Sequence, residues 1–410
     1  MPEKLDRASQ GPGDELMNQI YAMLASDSSP SLIELVEQGM SKLNVSERQF
    51  SEAVGIQRKS LQRILGGEAK KVDILTILKL SELLDIDLKN LIQVYVSGLP
   101  PESIGELERA KKAGFILRNF DVDGLKKEGV INSTTDFNHI EEKIKHYFGL
   151  GSLFEYNSLA SALFSRTKNT SSDKMTRFWI GSAYHICKKM SNPNPYDRQA
   201  LFSMIPKLRG FTRDDKYGLL QVARALYSVG VSVVVQSYMG RTQVRGATFL
   251  ADKKPCIVLA DYNKRYDTIW FALMHEIYHV LKDLDSIAYS GYHVSKEDGQ
   301  LPIEHDQEIK ANAFAAEFLL SSDKRNYIAS FIDVPGLVDK YAAKWDIHPS
   351  IIYGLYLKEK GEQQDYKKIR PLLATTESSV RNLMTHPWRE DIPLEVSAFR
   401  LKETLTSVSL

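Results

Sequence analysis

The sequence predicts a mostly α chain with a small β-sheet, and three observations carry that expectation. Apolar residues recur at helical spacing in short blocks from Ser31 to Leu99. A β-branched run, Val231-Ser232-Val233-Val234-Val235, is followed by two further strand candidates, Gly246–Leu250 and Cys256–Leu259. A longer periodic segment then begins near Asp267 or Thr268 and runs without Gly or Pro from Ile269 to Asp285, as a helix of several turns requires. At 410 residues the chain exceeds what one hydrophobic core ordinarily serves, so two or three domains are expected.

Taken in order, residues 1–30 are rich in Ser, Asp, Gly and Pro apart from a helical pattern at Met17–Leu24, and read as a flexible leader. Residues 31–99 read as a compact all-α domain whose end is punctuated by Pro100-Pro101. Residues 102–205 read as a helical linker or sensor region interrupted at Asn132–Asp136, Thr167–Asp173 and Ser191–Tyr196, with no chemical motif. Residues 210–360 read as an α+β domain: a helix at Tyr217–Ser228, the strands, the long helix, and further helix to about Lys360. Residues 361–410 form a C-terminal extension without a chemical signature.

Composition narrows the function classes. Hydrophobic residues make up 43% and charged residues 26%, which argues against wholesale disorder. Lys plus Arg number 53 against 52 Asp plus Glu, so a nucleic-acid site has to be a local basic patch. Two cysteines, Cys187 and Cys256, supply neither a disulfide framework nor a cysteine metal site and suit a reducing compartment. The N-terminus lacks a signal peptide's apolar core, and no stretch reaches the roughly 20 apolar residues of a spanning helix. A cytoplasmic protein without a membrane partner is the expectation. No G-x-S-x-G or G-x-x-x-x-G-K-[ST] pattern supports a serine hydrolase or a nucleotide-driven enzyme.

Within 31–99, Ser46-Glu47-Arg48-Gln49 reads as a capping box opening a short helix through Phe50, Ala53 and Val54. Gly55 turns the chain, and a second helix from Gln57 to Leu65 stops at Gly66-Gly67, suited to left-handed caps. Leu61, Ile64 and Leu65 face inward on that helix. Gln57, Arg58, Lys59, Ser60, Gln62 and Arg63 face out, and such side chains read base edges or hold phosphates. From Lys42 to Lys71 there are seven basic and three acidic residues, a local excess of four positive charges. The competing reading is a helical interaction bundle whose basic helix is merely solvated.

The sharpest signal is His275-Glu276-Ile277-Tyr278-His279. Residues four apart share a helix face, so both imidazoles can reach one ion. Zn²⁺ takes imidazole nitrogens and at catalytic sites leaves a position for water, from which Glu276 would take a proton. Two satisfied core histidines are the bland alternative. Lys282 and Asp285 stand where a metzincin would carry Gly and His, so the third ligand has to come from a later helix. Glu308 is favoured, because Ala311, Phe314, Ala315 and Phe318 give its helix a small apolar face. Glu304, His305, Asp306 and Glu317 are its rivals. His293, His305, His139 and His146 have no ligand spacing with one another and read as surface or core histidines, and for Arg241, Arg245, Asp261 and Tyr292 ordinary surface roles are favoured over lining a peptide groove.

Two resemblances follow from these residues. Residues 217 to about 358 resemble the ImmA/IrrE-type zinc metallopeptidases, in the strands Arg245-Gly-Ala-Thr-Phe and Cys256-Ile-Val-Leu, in the histidine pentamer, and in Glu308, Ala311, Asn312, Phe314, Ala315 and Ala316. Leu337–Leu357 is similar to the family's following helical segment. Tyr278 departs from that pattern by replacing a small residue, where its hydroxyl could meet a substrate carbonyl; Lys310 and Phe318–Ser321 depart as well. The resemblance implies a zincin-like domain that cuts a protein partner such as a repressor. Residues 31–99, through the segment Ile74–Ile86, resemble the Cro/repressor-like (XRE) helix-turn-helix family, which implies binding to an operator-like DNA site, with a homodimer on a roughly palindromic sequence. The expectation is a DNA-binding zinc endopeptidase regulating gene expression. The alternative is a non-catalytic transcriptional regulator or antitoxin whose peptidase-like domain grips a ligand, a toxin or another partner.

Overall fold

The computed structural model describes residues 31–407 apart from 67, 70–71, 159–162, 164–173, 241, 297–301 and 386. The leader with its Met17–Leu24 pattern and the Thr167–Asp173 interruption lie outside the described residues. Contacts divide the chain into two units, one ending at Gly114 and one beginning at Phe115.

In the first unit, five helices surround a small core: α1 (Leu32–Leu43), α2 (Glu47–Val54), α3 (Arg58–Leu65), α4 (Ile74–Leu84) and α5 (Leu88–Ser97). Val36, Phe50, Val54, Leu61, Ile64, Leu80 and Leu91 meet inside it. The predicted capping box is present, with Ser46 and Gln49 each satisfying the other's backbone N–H. Gly55 takes a left-handed φ of 78°, the conformation that makes the tight turn into α3. Gly66 departs from expectation. Its φ is −77°, so α3 ends by an ordinary right-handed turn with the Gly66 N–H bonded to the Gln62 carbonyl, and glycine's freedom is not used there. Pro100 and Pro101 close the bundle, but Pro101 also opens the next helix, α6 (Pro101–Asn119), at a position where no N–H is needed.

The second unit is organised on a five-stranded sheet in the order β4-β2-β3-β1-β5: β1 (Ser232–Gln236), β2 (Val244–Ala251), β3 (Lys254–Ala260), β4 (Tyr292–Lys296) and β5 (Met384–Thr385). β2 and β3 form an antiparallel hairpin whose turn residues Asp252 and Lys253 both have positive φ, as a tight two-residue connection demands. β1 runs parallel to β3 and β5, while β4 runs antiparallel to β2. The sequence reading found β1 to β3 and missed β4 and β5. β4 alternates Tyr292 and Val294 with His293 and Ser295 over only five residues, and β5 spans two, so both are too short to stand out as strands.

Helices cover both faces of the sheet. Alternate residues of β2 point opposite ways. Phe249 meets Tyr184 of α7 (Lys174–Met190), while Thr248 meets Glu276 of α9 (Tyr266–Lys282). α8 (Gly218–Ser228) packs on β1. α9 also packs against α10 (Pro302–Leu319) and α11 (Pro349–Lys360). The C-terminal helix α12 (Leu394–Thr406) lies against α7. One continuous core includes Phe148 and Trp179 from the predicted middle region, Trp270 from the α+β segment, and Leu394 and Leu401 from the predicted extension. The divisions at 102–205, 210–360 and 361–410 are therefore not separate domains in the structure. The sheet is too small to bury both faces with its own helices, and the flanking segments complete it.

Candidate metal centre and nucleic-acid interface

α9 is apolar nearly all round, as a helix clamped between a sheet and two other helices has to be. His275, Glu276 and His279 are all buried on it. α10 crosses α9 through the small residues Ala311 and Ala315, both fully buried, and this close approach brings Glu308 to the histidines. The two Nε2 atoms lie 3.1 Å apart. Glu308 Oε1 lies 3.4 Å from His275 Nε2 and 3.1 Å from His279 Nε2. A tetrahedral zinc ion with bonds of about 2.0–2.1 Å holds its ligand atoms about 3.3 Å apart, so this three-atom set fits one.

Asp306 is exposed, and Glu317 turns outward to the Ser322 N–H and Arg325. The side chains of Glu304 and His305 lie outside the described residues.

Around the ligand atoms stands an outer layer that the sequence reading did not assemble. Asp283 Oδ2 lies 2.8 Å from His279 Nδ1, the carboxylate–imidazole arrangement that fixes a ligating histidine's tautomer. His293 Nε2, on β4, lies 2.6 Å from Glu308 Oε1, with its ring centroid 4.0 Å from that of His279 and the two planes tilted by 39°. Its position opposite Thr248, on a five-residue strand whose pairing no local pattern announces, puts His293 here. Asp283 follows His279 by four residues and was legible as a helical neighbour. Burial opposes charge on His279, but the carboxylates of Asp283 and Glu308 outweigh it and raise its pKa to about 9. Burial likewise works against the Glu308 carboxylate, yet the three imidazoles hold it well below its usual range, the ionised form a ligand needs.

Glu276 is wholly buried, and the Thr248 and Ser295 hydroxyls each donate to one of its oxygens at 2.7 Å. Gly246 makes room for it, since a Cβ there would stand 2.6 Å from Glu276 Oε1. Glu276, His275 and Glu308 line a cavity of about 270 Å³ together with Arg245, Phe271, Ala272, Ser295, Asn312 and Lys358. Tyr278, expected as a substrate contact, lines neither this cavity nor its neighbour. Its ring packs on Phe314 of α10, because the residue before His279 is rotated by about 100° away from the ligand face.

In the first unit, all six residues expected to face outward are exposed, Gln57 as the N-cap of α3 and Arg58, Lys59, Ser60, Gln62 and Arg63 on it. Glu47 of α2 takes up two of them. Arg58 reaches its Oε2 at 2.5 and 2.8 Å, and Gln62 donates to Oε1 at 2.8 Å. Lys59 and Arg63 are therefore the cations presented without that partner, while Arg58 raises its own pKa and lowers that of Glu47 by their mutual bond.

Residues 37–95 match the family described as the Cro/C1-type HTH DNA-binding domain, so the first unit carries a helix-turn-helix of the DNA-binding class. No curated protein and no solved structure matches the chain. Among the described residues no helix is long and apolar enough to cross a membrane.

Proposed function

We propose that the chain is a DNA-binding zinc-dependent endopeptidase that regulates gene expression by cleaving a protein partner such as a repressor, as the resemblance to ImmA/IrrE-type metallopeptidases implies. The observation that carries this is the buried set His275, His279 and Glu308 at tetrahedral spacing with Glu276 beside it. His275, His279 and Glu308 would hold the ion, which when bound supplies Lewis-acid polarisation of the scissile carbonyl and of water. Glu276 would accept the water's proton and return it to the leaving amine, its carboxylate aimed by the Thr248 and Ser295 hydroxyls. β4 is the terminal strand of the sheet, so a substrate segment could add along it beside the cavity.

The DNA-binding domain also favours a second reading, a regulator or antitoxin that grips a partner without turnover. Gripping alone gives no chemical use to a buried carboxylate held by two hydroxyls at the edge of a three-ligand cluster.

Metal analysis separates the two. Purified protein should hold about one zinc per chain, lost in His275→Ala and Glu308→Ala and retained in Glu276→Gln. Glu276→Gln should also abolish cleavage of a true substrate. A well-folded wild type without zinc would leave the regulator as the function.

A further inference from the structure

We infer that Arg245 and Lys358 form a carboxylate-binding subsite beside the metal cluster, so that the substrate is an acidic peptide anchored by a carboxylate; this rests on the metallopeptidase reading above.

Three independent features converge on it. The first is a bulge in β2. Val244 pairs with Lys296 and Gly246 with Ser295, so Arg245 is an extra residue with no counterpart on β4. Gly246 and Thr248 face Glu276, and strict alternation would send Arg245 to the opposite face of the sheet. Instead it lines the same cavity as Glu276 and Ser295. Bulges of this kind re-aim a side chain next to a functional site.

The second is the placement of Lys358. It comes from α11, crosses the Phe271 ring at 3.3 Å and donates to the neutral Asn312 Oδ1 at 3.2 Å. The nearby carboxylates are engaged elsewhere: Glu308 with the imidazoles, Glu276 with two hydroxyls, Asp267 with Arg265. Lys358 ranks among the exposed residues, yet protein crowded around its ammonium, and then the Arg245 charge, draw its pKa down to about 7. An arriving anion would reverse that shift.

The third is position. A second cavity of about 310 Å³ shares Arg245, Phe271, Ala272 and Lys358 with the first. The two cations thus stand between the metal cluster and an outer space large enough for another side chain. Two like charges at one wall repel, and a carboxylate spanning them would replace repulsion with charge-assisted hydrogen bonds.

The probes for this are two metal-directed hydroxamates, one ending in a carboxylate on a two-carbon arm and the other in its primary amide. Calorimetric titration into the full-length zinc-loaded protein should find the carboxylate probe at least about tenfold tighter. That advantage should collapse in Arg245→Gln and in Lys358→Met, the latter keeping an unbranched apolar chain against Phe271, with amide affinity unmoved. Peptidyl hydroxamates carrying either a glutamate side chain and a blocked C-terminus, or glutamine and a free C-terminus, then tell which carboxylate is read. With zinc present, equal binding of the first pair, or binding of neither, removes the subsite alone. Equal loss of both probes in Arg245→Gln also overturns it, because Arg245 would then be gripping the hydroxamate itself. No zinc and no hydroxamate binding removes the peptidase reading.

Discussion

His293 is the residue whose role changed most between sequence and structure. It has no ligand spacing in the sequence, and it reaches Glu308 only because β4 lies beside β2. Carboxylate ligands are held by such outer partners, and losing one weakens metal binding by about 10–100-fold. His293→Ala should therefore raise the zinc dissociation constant by about that factor in a competitive chelator titration, with the fold intact. Asp283→Ala should act similarly through His279. An unchanged affinity in both would show that the three ligands orient themselves. By contrast His275, Glu276, His279 and Glu308 were legible, because a one-helix spacing and a small-residue helix face are local patterns. The hydroxyls of Thr248 and Ser295 were not, since a lone Thr or Ser in a strand carries no signal until the neighbouring helix is placed over it.

Among the elements, the helix-turn-helix was the most readable. Its capping box, turn glycine and buried Leu61 and Ile64 are all set by neighbours within a few residues. What escaped the sequence is the grip of Glu47 on Arg58 and Gln62, which bridges two helices. It has a consequence for binding. Phosphate contacts lower the affinity for any duplex as salt rises, with a slope of roughly one per contact. Lys59→Ala and Arg63→Ala should each reduce that slope by about one on an arbitrary duplex, followed by fluorescence anisotropy over a salt series. Arg58→Ala should reduce it less, because the Glu47 charge already sits against the guanidinium. If none of the three moves the slope, α3 is not the face that meets DNA. The strands were half legible for the same reason in reverse: β1 to β3 are apolar and buried, whereas β4 and β5 exist only through their partners.

The second unit as a whole depends on segments that carry no motif. α7 crosses the sheet and buries His185 against Phe148, with neither ring nitrogen hydrogen-bonded. Burial, and then the Lys189 charge, lower its pKa from 6.5 to about 4, against a weaker opposing pull from Glu395 of α12. The unfolded chain takes up this proton first. Stability from His185 is thus complete above about pH 6.5 and is lost as pH falls toward 4, by about 3 kcal/mol at 1.36 kcal/mol per pKa unit. Urea midpoints for the second unit should fall across that window, and His185→Leu should flatten the fall relative to wild type. Identical pH profiles for the two proteins would refute the assignment. Other groups titrate there in both proteins alike, so the difference isolates His185.

The pairing of β4 with β2 has one more implication. Thr248 stands opposite His293 and Gly246 opposite Ser295, and all four stand against Glu308 or Glu276. A slip of β4 by one residue would present Tyr292 and Val294 in their place and turn the histidine and the serine away. A misassembled sheet would consequently lose the outer support of Glu308 and Glu276 together. Tight zinc retention would then act as a fidelity test on the molecule's own assembly, separating chains with the edge strand in register from those that merely collapsed.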